Sequence, residues 1–318
     1  MEKLRQSNSK FIWVALAVLV MIAVVPNGTF TKLASFELDA LTISALRYTM
    51  ASLLLLPVFI INLKKHGRAV RKRLRFMILM SLPFSLGASL FTMALSLTSV
   101  SFVSILDLFS PIVFVIFSAL IVKDRITRHA IAGMMLAVLG AVVIVVLPMV
   151  IGSGAVIEFG WLPLLLMMGF IIIEGTYPVY LRKVNETGVP IFSVTFIGFV
   201  WVAITSTIAT FFVHGADSFA KIGELSPTGW LVIAYGAIMI SIIARAANIK
   251  IYEKIGTATT AAISYLYYFL AILLPVLIFH ENLSWEMFVG AALVIAGIFV
   301  TRRHPHKYKH VIHHKSNL

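Results

Sequence analysis

The chain has no cysteine in its 318 residues, which excludes disulfides and thiolate metal sites. It is also poor in charge. Only 12% of residues are Asp, Glu, Lys or Arg, about half the share usual in soluble domains. With 60% hydrophobic residues and a mean hydropathy of +0.99, a soluble globular fold is excluded. No Walker-type glycine loop occurs, so ATP coupling within the chain is not expected, and neither is any other cofactor. No small-x-small cleavage site follows the apolar opening "MEKLRQSNSKFIWVALAVLVMIAVV"; that segment is expected to stay as a membrane span. No nucleophile with a nearby base falls at membrane depth, and His280 beside Glu281 lies in a link between spans. An enzyme is therefore not expected.

What the chain does have is apolar runs of about 20 residues, the length a helix needs to cross a bilayer. They lack the two-residue alternation of an outer-membrane barrel. Ten spans are predicted: Phe11–Leu33, Leu41–Leu63, Phe76–Thr98, Ser99–Val122, Ala130–Met149, Gly160–Leu181, Pro190–Val213, Gly229–Ile249, Ile255–Phe279 and Trp285–Val300. The third and fourth are so close that a tight hairpin is expected near Ser96–Ser99, whereas His214–Pro227 leaves room for a longer loop. Short basic loops stay cytoplasmic. With the N-terminus inside, 22 of the lysines and arginines fall on the cytoplasmic side and only Lys32 and Lys221 outside, with Arg47 and Arg245 left within the membrane. Both termini are thus expected in the cytoplasm, in the cell (inner or plasma) membrane. The net charge of +13 then faces anionic lipid, each residue contributing about 1 kcal/mol. Membrane lipid is an expected partner and nucleic acid is not.

The two halves resemble each other. "NGTF" (Asn27–Phe30) in the first span is matched by "EGTY" (Glu174–Tyr177) in the sixth, and both are expected to break their helices. Asp124, Gly133 and Gly140 recur as Glu281, Gly290 and Gly297 at one constant offset. Five spans per half, an odd number, force the halves into opposite orientations, which is the inverted repeat of alternating-access transporters. The predicted fold is an all-α membrane protein of ten transmembrane helices in two inverted five-helix repeats, residues 1–150 and 151–303, followed by a basic, His-rich tail, 304–318.

Five plus five spans, an arginine within "ALRYTMASLLLLP", a proline followed by an acidic-basic pair in "SPIVFVIFSALIVKDR", and glycines through the closing span resemble the EamA-type drug/metabolite transporters. The resemblance covers nearly the whole chain. It implies a transporter of small organic molecules such as amino acids, other metabolites or drugs. The chain departs from the pattern in two places, carrying "FHEN" at Phe279–Asn282 and Tyr268 where the first half has Pro111.

A charge at the middle of a membrane helix costs about 2.5 to 3.5 kcal/mol and needs a partner, water or a substrate. Arg47, Asp107, Glu174 and Arg245 are such charges. Arg47 and Asp107 fall at similar depth, so three readings stand: a structural ion pair, an arginine that binds a substrate carboxylate or gates the mouth, or snorkelling to the interface. Glu174 and Arg245 suggest a second pair, or a proton-coupling carboxylate at Glu174. The breaks at Pro26–Asn27–Gly28 and at Glu174–Gly175 with Pro178 point to a cavity, or to ordinary proline kinks. Tyr265, Tyr267 and Tyr268 form a substrate-facing aromatic wall or pack between helices. The expected substrate-binding residues are Asn27, Arg47, Asp107, Glu174, Arg245, Tyr265 and Tyr268. Gly133, Ala137, Gly140, Gly290 and Gly297 read as close helix packing, with a homodimer through those faces an open expectation. The tail histidines, from His304 to His314, read as a lipid-attracted basic segment or weak metal ligands. Mixed charges and an aromatic wall suit a zwitterion, so the expected activity is secondary transport of a small metabolite. An amino-acid exporter comes first, a multidrug or cationic-compound exporter second, and a membrane enzyme or receptor stands as the alternative of another class.

Overall fold

The computed structural model describes residues 2–110, 113, 116–117, 120, 128–151, 160–185, 189–247, 251, 267, 270–280 and 285–302. The described residues form helices and turns without strands. In chain order the longer helices are α1 (Glu2–Val24), α2 (Asn27–Ala34), α3 (Ala40–Leu97), α4 (Val100–Asp107), α5 (Arg128–Ile151), α6 (Trp161–Asn185), α7 (Ile191–His214) and α8 (Pro227–Tyr235), with single helical turns at Asp217–Ala220 and Lys221–Glu224 before α8. The π-helix π1 (Gly236–Ala244) follows directly, then α9 (Leu270–Phe279) and α10 (Trp285–Arg302). Among the described residues, four segments are long and apolar enough to cross a membrane: Ile12–Ala34, Ala40–Leu79, Ile191–His214 and Pro227–Ala247. Shorter apolar helices lie on the third, fifth, sixth, ninth and tenth predicted spans. Tyr265, Tyr268, Pro111, Asp124, Glu281 and the tail 304–318 lie outside the described residues.

Large apolar side chains such as Leu53, Ile60, Leu231 and Phe212 point outward, while Ser81, Thr92, Ser193 and Ser206 are buried. That inversion suits a chain dissolved in lipid, where polar groups serve as contacts between helices. Ser44 donates to Thr92 at 3.1 Å, and the Ser89 and Ser206 hydroxyls meet at 3.2 Å. Small residues let the backbones approach. A Cβ on Gly87 would stand 2.9 Å from Ile173, and one on Gly169 would stand 2.9 Å from Leu90, so α3 and α6 pack across the two halves through reciprocal glycine contacts. The closing helices α5 and α10 pack along each other, with Gly133, Gly140, Gly290 and Gly297 all buried.

Local chemistry sets the turns. Thr98 is extended and Ser99 caps α4 by accepting from the Phe102 N–H at 3.2 Å, which gives the tight hairpin expected there. Asp39 caps α3 through the Thr42 N–H and hydroxyl. Ser226 caps α8 with Pro227 at its first position, where the missing N–H is no loss.

Two features differ in detail from the sequence reading. A non-helical link between spans two and three is absent: the basic stretch Lys64–Arg75 is helical, and α3 comprises two helices that meet at a kink at His66 (φ −125°, ψ 24°). Its charged side chains are exposed while Val70 seats in the core with Leu55 and Met77, so one apolar anchor keeps the stretch folded onto the bundle. The break expected at Glu174–Pro178 is also absent, since α6 is continuous from Trp161 to Asn185. Proline there removes a single ladder bond, and a membrane helix tolerates that when neighbours re-satisfy the backbone.

Candidate functional site

Among the described residues, three spans depart from α-helical geometry, and each departure carries a polar side chain. In the first span the chain turns at Val25–Pro26 between α1 and α2. The Ala23 carbonyl, which would bond to Asn27 in an unbroken helix, accepts instead from the Tyr235 hydroxyl at 2.6 Å. Phe30 packs edge-on against the same Tyr235 ring, centroids 5.2 Å apart. In the fourth span α4 ends at Asp107, and the ladder tightens to three-residue bonds at Leu108 and Phe109. Pro111 lacks the N–H that Asp107's carbonyl would need. In the eighth span the ladder widens over π1, a geometry rare enough to mark functional sites.

Arg47 joins the first of these departures to the third. Its Nη1 donates to the Asn27 side-chain oxygen at 2.9 Å, and its Nε donates to the Ser241 hydroxyl at 3.3 Å. Only 9% of Arg47 is exposed, so it does not snorkel. Nor does it pair with Asp107, which accepts from the Ser110 hydroxyl at 2.6 Å; depth along two spans says nothing about the angle between them, and the pairing expected from depth fails for that reason. Gly236, the first residue of π1, lies under the guanidinium. A Cβ there would stand 3.0 Å from Nε and 3.2 Å from Cδ and Cζ. Arg47, Asn27 and Gly236 line a small pocket with Phe30, Ile43 and Ile240, roomy enough for about one water.

Arg245 follows π1, its guanidinium carbon 4.7 Å from the Phe84 ring centroid and 5.9 Å from Phe199. Arg47 sits 5.6 Å from the Tyr48 ring. Tyr48, Phe84 and Phe199 form one aromatic cluster, with centroids 5.3 to 6.4 Å apart. This cation–π floor comes from spans two, three and seven. Sequence reading missed it because it sought aromatic residues clustered within one span, whereas these are scattered over three; Tyr48 directly after Arg47 was the only local signal.

The four intramembrane charges lie within electrostatic range of one another: Arg47 of Arg245, Arg245 of Glu174 and Glu174 of Asp107, with Tyr267 within range of both carboxylates. Glu174 sits on regular helix, where the hydroxyl of nearby Thr176 donates to the Ile173 carbonyl at 2.6 Å. Span four is tied to span nine by two serines. Ser104 donates to the Ala271 carbonyl at 3.3 Å and Ser101 to Ile272 at 3.4 Å; Pro275 has no N–H for Ala271, so the serine takes its place.

One end of the bundle is clasped across the halves. Glu37 accepts from the Ser226 N–H at 2.8 Å and from its hydroxyl at 2.7 Å. His214 approaches Asp39 at 3.6 Å. Lys32 donates to the Thr98 and Ser96 carbonyls at 3.0 and 3.3 Å, which suits a cation at the C-terminal end of α3. The Ser226 N–H and then its hydroxyl hold the Glu37 carboxyl below the ordinary glutamate range, against a small opposing effect of desolvation. A depressed carboxyl favours the clasp fully above its ordinary value and loses it as pH falls through the depressed value. A spin label on Gly223→Cys, a position with open space around it, is therefore expected to gain mobility only below the ordinary glutamate range. Glu37→Gln should remove that pH dependence; an unchanged profile would show that the clasp does not control this loop.

Two related halves of apolar helices, with charges buried among them, define a multi-pass membrane protein of the transporter class. The chain belongs to the EamA-like transporter family, whose model matches residues 11–146 and 161–303, once in each half. A solved structure described only as "Crystal structure of protein" has the same fold, with a TM-score of 0.61 at 18% identity, covering 93% of this chain and 96% of that one. No curated protein matches the chain.

Proposed function

We propose that this protein is a secondary transporter that moves a small organic metabolite by alternating access, with an amino acid as the first substrate class and export as the direction. The observation that carries this reading is the buried Arg47 guanidinium, bonded to Asn27 at the first-span break and to Ser241 of π1, in an interior that also holds Arg245, Glu174 and Asp107 from the two halves. Both charge signs in one interior suit a zwitterion: a guanidinium for its carboxylate, carboxylates and aromatic faces for its ammonium. Glu174 and Asp107, two carboxylates within mutual influence, suit a proton as the coupling ion. The clasped end lies on the external side under the positive-inside reading, so the conformation is one closed to the outside. The test is exchange of a labelled amino-acid mixture in proteoliposomes under an imposed pH gradient. Gradient-dependent exchange is expected; its absence for every amino acid would reject that class. Carriage of a cationic compound is the second reading, favoured by the aromatic floor under Arg245, which a cationic substrate would share, and the same assay with an aromatic cation separates the two.

A further inference from the structure

The π-helix π1 is the longest departure from α geometry among the described residues, running from Gly236 to Ala244 within an apolar span. It interlocks with the break in the first span at both of its ends. Tyr235, just before it, bonds the Ala23 carbonyl freed by that break. Ser241, inside it, accepts from Arg47, whose other bond goes to Asn27 just after the break. Gly236 gives the guanidinium its room.

A π-turn holds about one residue more than an α-turn, so closing it to α-helix rotates everything beyond by about 100°. Gly236, at the start of the segment, would stay beneath the guanidinium. Ser241 and Arg245 would change face together. We propose that π1 is a two-state positioning element for Arg47, with Ser241 and Gly236 as its positioning residues. In the π form, Ser241 holds the guanidinium against the first-span break. In the α form, Ser241 is withdrawn, Arg245 swings off Phe84 and Phe199, and Arg47 is free to take an anionic group. A buried guanidinium does not give up an acceptor without a replacement, so the switch is drawn to the α form when a substrate carboxylate arrives. The functional consequence rests on the transporter reading above; the two-state geometry does not.

The chain has no cysteine, so cysteines placed at lipid-facing Ile208 and Ile243 report cleanly. Spin labels there, on the full-length protein in liposomes, are read by double electron–electron resonance. The expected result is two distance populations. Deleting Ile238, a lipid-facing residue of π1, removes the extra residue while leaving the flanking helices facing as they do now, so only the population of the present geometry should remain. Ser241→Ala should enlarge the other population. One distance, unmoved by either change, would overturn the proposal. In transport assays the deletion should abolish exchange, and exchange within twofold of native would overturn the functional half. If the native chain carries none of the tested substrates while the two populations respond as stated, the positioning element stands and the transporter reading has failed.

Discussion

Arg47→Ala is expected to lower gradient-driven exchange in proteoliposomes by roughly 100-fold or more. The guanidinium makes two bonds from a buried position, to Asn27 and Ser241. Hydrogen bonds to charged groups contribute about 1.5 to 3 kcal/mol each. Losing two therefore amounts to about 3 kcal/mol at the low end, or two factors of ten, if Arg47 trades those acceptors for a substrate carboxylate. Arg47→Lys separates charge from shape. An ammonium keeps the charge but lacks the planar fork, and it does not span two acceptors carried by α2 and π1. Lysine should therefore keep the fold without restoring exchange. The control is thermal unfolding of detergent-purified protein, which Arg47→Ala should pass because deleting a buried charge also removes its desolvation cost, and Arg47→Lys because its ammonium keeps one of the two acceptors. Exchange by Arg47→Ala within twofold of native would remove the arginine from the mechanism and leave it as a strut between two helix departures.

Glu174→Gln is expected to erase the response to a pH gradient while leaving substrate-for-substrate exchange in place. Glu174 lies within electrostatic range of a positive group, Arg245, and of a negative one, Asp107. Two carboxylates within electrostatic range of each other resist being ionised together in a low-dielectric interior, so gaining or losing one proton resets the balance that Arg245 feels. Glutamine keeps the shape and cannot carry the proton. Asp107→Asn should weaken the gradient response less, because the Asp107 carboxyl is already engaged by Ser110 at 2.6 Å. If Glu174→Gln responds to the gradient as the native chain does, the coupling proton is carried elsewhere. The reverse outcome, loss of exchange without loss of fold, would make Glu174 a substrate contact.

Much of this architecture was legible in the residues, because lipid leaves a chain few options. Unbroken apolar runs are helices since no other open structure satisfies its backbone there. Pro26 ends a helix because it has no N–H, and Ser99 begins one because its hydroxyl accepts the N–H that the helix end leaves free. The four buried charges stood out because each costs too much to be incidental. The family match to both halves agrees with the repeat seen in Asp124–Gly140 and Glu281–Gly297.

Other features were decided only by the tertiary structure. Lys64–Arg75 folds as helix because Val70 finds a place in the core, and its charges alone carry no sign of that. Glu174–Pro178 stays helical because a proline's one missing bond is tolerated among packed neighbours, whereas Pro26 breaks its helix where Tyr235 waits for the freed carbonyl. The π-helix has no signature in composition, since the choice between a bond four or five residues back is made by what the side chains meet. Arg47 meets Ser241 from 194 positions away. The sequence by itself determined which groups were too polar for their surroundings; only the folded chain decided which of them face one another, because rotation about a helix axis is set by packing against every neighbour at once.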